Sequence, residues 1–116
     1  MRHIILLLIG ITLISGCTST PENPDLRPSE RTNEVALSNL NLAVEYMRTG
    51  NMETALDKLN RAYDADPRYY GTHNAYGLLY QRLGDNRLAE RHFKRAIALN
   101  NNDSASKNNY GNCQLK

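Results

Sequence analysis

The sequence predicts an all-α protein, a solenoid of two stacked helical hairpins with the start of a third. Three observations predict it. Leu42, Ala43, Tyr46, Gly50, Ala55, Leu59 and Ala62 recur 34 residues later as Tyr76, Gly77, Tyr80, Gly84, Ala89, Phe93 and Ala96, so large, small, aromatic and glycine places are each kept. Within each copy the apolar residues stand three or four apart, the spacing of one helix face. A glycine then divides each copy into two helical halves, where a tight turn needs a positive φ.

The elements follow in order. Ser29 caps a first helix predicted over Glu30–Arg48. Gly50 breaks it, and Asn51 is a good N-cap for a second helix over Met52–Asp64. Pro67 ends that helix, a place that changes to Asn101 in the second copy. Helices over Tyr69–Leu83 and Asn86–Ala98 repeat the arrangement around Gly84 and Asp85. Small Ala43, Ala55, Ala62, Gly77, Ala89 and Ala96 let paired helices approach, while Tyr and Leu fill the space between them. Asn100–Asp103 forms a turn whose side chains bond their own backbone. Asp103 or Ser104 caps a further helix, in which Tyr110 and Gly111 match Tyr76 and Gly77 before the match weakens at Gln114.

A helix–turn–helix unit with a 34-residue period resembles the tetratricopeptide (TPR) repeat. The resemblance places the repeat domain at 29–116, with repeats at 36–69 and 70–103 and a partial third at 104–116. Asn39 and His73 stand where the family usually has Trp. In the family, the first helix of each repeat lines a concave groove through its second, fifth, ninth and twelfth places. The resemblance therefore implies a protein-binding groove of Leu37, Leu40, Val44 and Met47, then Gly71, Asn74, Leu78 and Gln81. Its first half is apolar and takes a hydrophobic helix or strand, unless the segment before residue 36 folds over it as core. The groove lacks the Lys and Asn with which chaperone-binding TPR domains clamp a terminal carboxylate. The pattern stops inside its third copy; since about three repeats are needed for stability, the chain is expected to be marginal alone or a shortened version of a longer protein.

The N-terminus carries a separate message. Arg2 and the apolar run Ile4–Ile14 read as a secretory leader over residues 1–16; eleven residues are too few for a bilayer, which needs roughly 20. Leu13-Ile14-Ser15-Gly16-Cys17 resembles a bacterial lipobox, an aliphatic residue and two small ones before a nucleophilic thiol. That resemblance implies a lipidated Cys17, with Thr18 in place of the Asp that retains such proteins at the inner membrane, hence an outer-membrane anchor. The alternative is an ordinary leader with an incidental cysteine. Residues 17–28, with prolines at 21, 24 and 28, read as a tether reaching at most about 36 Å.

Composition excludes more than it assigns. A net charge of +2 argues against a dedicated nucleic-acid binder. Residues 30–66 hold seven acids and four bases, residues 68–103 three acids and six bases, which is either a solvated surface or a charged rim that orients a partner. His73 reads as a packed residue and His92, beside Arg91 and Lys94, as solvated. Neither stands at a metal-ligand spacing, and phosphate-loop and nucleophile motifs are missing, so no catalytic site, cofactor or small-molecule substrate is expected. With Cys17 lipidated, Cys113 is left alone, to be buried by further repeats or paired between chains.

Cys17 followed by a Pro-rich tether and these repeats resembles the type IV pilus biogenesis lipoproteins, the PilF/PilW-type secretin pilotins. The strings Gly50-Asn51-Met52-Glu53-Thr54-Ala55, His73-Asn74-Ala75-Tyr76-Gly77-Leu78-Leu79-Tyr80-Gln81 and Asn108-Asn109-Tyr110-Gly111 carry the likeness. It implies a non-catalytic adaptor held to the outer membrane by lipid, facing the periplasm and binding the pilus secretin subunit through the groove. An envelope scaffold that recruits cell-wall hydrolases is the alternative.

Overall fold

The computed structural model describes residues 28–115, with side chains from Asn33 onward. The leader, Cys17 and the tether fall outside the described residues. Five helices are formed: α1 (Pro28–Arg48), α2 (Met52–Ala65), α3 (Tyr70–Arg82), α4 (Asn86–Leu99) and α5 (Ser104–Gln114). The first begins at Pro28, one residue before Ser29; a proline suits a first helical position, where its fixed φ is helical and its missing N–H is not needed. α1 packs chiefly on α2 and α3 on α4, giving two hairpins, with α5 laid against α4.

Both hairpin turns are made the same way. Gly50 and Gly84 take φ of +83° and +80°. At the first turn the Gly50 N–H donates to Met47 O (3.1 Å) and the Asn51 N–H to Tyr46 O (2.9 Å). At the second, Gly84 donates to Gln81 O (3.1 Å) and Asp85 to Tyr80 O (2.9 Å). These paired bonds satisfy the last carbonyls of α1 and α3 in the Schellman manner. The next residue caps the following helix at once: Asn51 Oδ1 accepts from the Thr54 N–H and Asp85 Oδ1 from the Leu88 N–H.

The connections between hairpins also repeat. Asp66 Oδ1 accepts from the Arg68 N–H, and Asn100 Oδ1 from the Asn102 N–H. They diverge at the next cap. Asp103 caps α5 and accepts from both the backbone and the hydroxyl of Ser106. The matching pair in α3 is Tyr69 and Thr72; Tyr69 offers no side-chain cap, and the buried Thr72 hydroxyl finds no partner among the described residues.

The core is continuous across the first three helices. Leu40, Ala43 and Met47 of α1 meet Ala55, Leu59 and Ala62 of α2 and Ala75, Tyr76 and Leu79 of α3. A second cluster joins Ala89, Phe93 and Cys113. Cys113 is thus buried by the α4 hairpin itself, at the place Leu79 holds one repeat earlier, and needs no further repeat to cover it. Two long-range bonds fasten the hairpins together: Arg82 Nη1 donates to Met47 O at 2.7 Å, and the Tyr76 hydroxyl to Asn60 Oδ1 at 2.6 Å. On α5, Tyr110 donates to Glu90, whose carboxyl Lys94 holds below its usual range through a 2.7 Å contact.

Gly77 decides how closely α3 approaches α4, because a methyl there would overlap the Phe93 ring. The matching pair in the first hairpin is Ala43 and Leu59, both fully buried. One hairpin pairs a larger small residue with the smaller large one, and the other reverses this. Gly77→Ala gains about 1 kcal/mol of helix propensity but overpacks a filled site at about 1–3 kcal/mol. A net loss of roughly 1 kcal/mol is expected in urea unfolding. Adding Phe93→Leu, the combination of the first hairpin, should recover part of it.

Candidate functional site

Two surfaces stand out, one on the α1/α3/α5 side and one between α2 and α4. On the first, the implied groove residues divide. Leu37 and Val44 lie two turns apart on α1 and are each 46% exposed. Leu37 also borders a hollow of about 270 Å³ shared with Asn33, Glu34 and Tyr69. Leu40 and Met47, at 9% and 4% exposure, lie in the core instead. α1 is packed by α2 and by α3 together, so Leu40 and Met47 fall in its buried strip Ala36, Leu40, Ala43, Met47, and Leu37 and Val44 lie to one side of that strip. Leu40 also reaches the backbone of Gly71, where a side chain would meet it and the Tyr69 ring.

The α3 residues of the groove are more constrained than their spacing implies. Asn74 Oδ1 accepts from Asn109 Nδ2 at 3.0 Å, which ties α3 to α5. Leu78 packs against the Ala89–Phe93–Cys113 cluster, and Gln81 is half-buried. The open apolar surface on this side is therefore the Leu37–Val44 stripe of α1.

The second surface was not legible as such in the sequence. α2 and α4 flank a cleft of about 470 Å³ floored by α3. Tyr63 and Asn60 line it from α2, His73, Tyr76 and Tyr80 from α3, and Arg91, His92 and Arg95 from α4. His73, Tyr76 and Tyr80 stand three and four apart and share one face of α3, a spacing that could have been noticed. Their partner could not, because His92 comes from another helix. It is not solvated but stacks on Tyr76 (ring centroids 4.7 Å), Tyr80 (5.6 Å) and His73 (5.7 Å). Tyr63 meets His73 edge-on at 5.7 Å.

His73 Nε2 lies 2.9 Å from Pro67 O, and a carbonyl only accepts, so Nε2 carries a proton. His73 Nδ1 faces His92 Nδ1 at 3.4 Å. Burial, then the neighbouring His73 and Arg91, push His92 from its ordinary 6.5 down to about 4. Burial likewise pushes the Tyr76 phenol well above its ordinary value. Both groups are neutral near pH 7.

Among the described residues, no cluster of three or more His, Cys, Asp or Glu could hold a metal ion, and no helix is long and apolar enough to cross a membrane.

The tetratricopeptide repeat family matches residues 36–69 and 70–103, more than half of the chain. The chain belongs to the tetratricopeptide repeat family. Over 108 residues it is 27% identical to a protein of Pseudomonas aeruginosa named type IV pilus assembly protein PilF, a match that covers 93% of this chain and 42% of that protein. It is 32% identical over 76 residues to an uncharacterised protein of Haemophilus influenzae, covering 66% of this chain and 42% of the relative. The chain thus spans less than half the length of either. Among solved structures, the first TPR domain of Spaghetti (RPAP3), bound to the HSP90 peptide SRMEEVD, superposes with a TM-score of 0.68 at 24% identity, over 72% of this chain and 68% of that one. That likeness shows the same helical-hairpin fold.

The histidine cluster gives this TPR domain a predicted acid sensitivity. An unfolded His92 binds its proton near pH 6.5, the folded one only near 4. Between these values the unfolded chain holds more protons, so stability falls as pH drops through that window and levels off below it. For a half-buried ring, partly screened by water, the loss is roughly 1–2 kcal/mol. Urea unfolding at pH 7 and pH 4 should show this difference shrink in His92→Gln, and the His92 imidazole should titrate near 4 by NMR.

Proposed function

We propose that this chain is a non-catalytic, lipid-anchored adaptor of the bacterial envelope that binds a protein of the type IV pilus assembly machinery, the secretin subunit, along α1. TPR repeats are protein-interaction modules, and the similarity to a pilus assembly protein points to that machinery. The observation that carries the reading is the Leu37–Val44 stripe. Two large apolar side chains stay nearly half exposed, two turns apart, and Leu37 borders a hollow that can receive a further apolar side chain. Folding leaves such a stripe uncovered at a cost, and a partner's amphipathic helix or strand would cover it.

The anchor completes the proposal. Cys17 would carry the lipid at the outer membrane, and the short tether would keep the stripe close to the bilayer, raising its effective concentration for a membrane-bound partner. The covalent lipid is then the sole added group, with no cofactor, metal or nucleic acid involved.

Pull-down of the secretin subunit tests the stripe. Leu37→Glu/Val44→Glu should retain the helical circular dichroism of the parent and lose at least tenfold in capture. Leu40→Glu is not a usable probe, because it buries a charge in the core. Undiminished capture by the folded double variant would remove the stripe from the reading, and capture of a cell-wall hydrolase in place of secretin would favour the envelope-scaffold alternative. Separately, Cys17→Ser should abolish incorporation of labelled fatty acid; label retained in that variant would refute the anchor.

A further inference from the structure

We infer that the cleft between α2 and α4 is a second docking site, for a short acidic peptide segment that carries one aromatic residue. The cleft is distinct from the α1 stripe and comes from different helices. Its floor is aromatic: Tyr76, Tyr80 and His92 lie nearly parallel, with interplanar angles of 12° to 21° among them. A volume of about 470 Å³ is enough for one large side chain and its flanking backbone, and lies within the range of built ligand sites, roughly 300–1,000 Å³. A planar side chain entering there would stack on rings already aligned with one another, at no cost in rotamer freedom on the protein's side.

Charge selects what flanks that aromatic residue. Arg91 and Arg95 line the cleft from α4, one helical turn apart and both exposed. Among the described residues neither makes an ion pair, whereas Lys94 on the same helix is taken by Glu90. No carboxylate lines the cleft. Asp64 of α2, whose charge acts on Tyr76, stands outside the lining. Two unpaired guanidiniums beside an apolar floor match carboxylates placed next to a ring, with the fork geometry that arginine offers to each. Asn60, whose Oδ1 is taken by the Tyr76 hydroxyl, adds amide N–H donors for the peptide backbone. The same arginines would repel a basic segment.

The chain has no tryptophan, so a probe peptide that contains one reports without background. The pentapeptide EEWEE, capped at both ends, is titrated into the full chain while the Trp emission is followed. A saturable blue shift that weakens with added salt is expected, with none for KKWKK. Arg91→Ala/Arg95→Ala keeps both residues' helix and should bind EEWEE about tenfold more weakly, two exposed charge pairs being worth about that factor. Leu37→Glu/Val44→Glu should bind it unchanged, which separates this site from the α1 stripe. Equal binding of KKWKK, an unchanged affinity in the folded double-arginine variant, or loss of binding in the stripe variant would each overturn the proposal. So would binding of the chain to vesicles of anionic lipid, through the same arginines, in place of the peptide.

Discussion

The fold depends on one steric fit, a large side chain seated in the notch left by a small residue on the facing helix. Phe93 sits against Gly77, and Leu59 occupies the matching position opposite Ala43. Close-packed interiors tolerate little change of volume, so this fit sets the separation of the two helices in each hairpin. The positive-φ glycines set their direction, and the paired turn bonds leave few carbonyls of α1 and α3 unsatisfied. Everything that lies on either surface inherits its position from those two conditions.

Contacts between hairpins mix apolar and polar groups. Leu40, Ala43 and Leu59 share a cluster with Ala75 and Leu79 of the next hairpin, while a hydroxyl reaches an amide and a guanidinium reaches a carbonyl. The stacked rings of Tyr76, Tyr80 and His92 belong to the second hairpin alone and line the cleft. Their packing depresses His92, since its ring is held among tyrosines and away from water. The α1/α3/α5 side differs again: α3 and α5 share the Asn74–Asn109 bond, while Leu37 and Val44 of α1 stay exposed.

The sequence made the fold plain because its signals are local. Gly50, Gly84, Asn51 and Asp85 act on residues within one turn of themselves, and the 34-residue repetition states each of them twice. The sites were less legible because they depend on which helices meet. Leu40 and Met47 share an apolar character with Leu37 and Val44, and only the presence of α3 beside α2 turns the former pair inward. The strip Ala36, Leu40, Ala43, Met47, spaced four, three and four, held that information and lost it to the family's groove positions. His92 stands beside Arg91 and Lys94, which is why it reads as a surface residue; nothing near it in the chain reports the tyrosines that it joins.

Arg82 and Tyr76 attach the second hairpin to the first at two points along α3, six residues apart, and each attachment reaches a different helix of the first. A single such bond would allow the hairpins to pivot about it; two, on separate helices, oppose both swivel and tilt. The superhelical pitch of the array is thereby set before anything binds. A guest polypeptide then surrenders its own disorder on arrival, while its host has almost none left to lose.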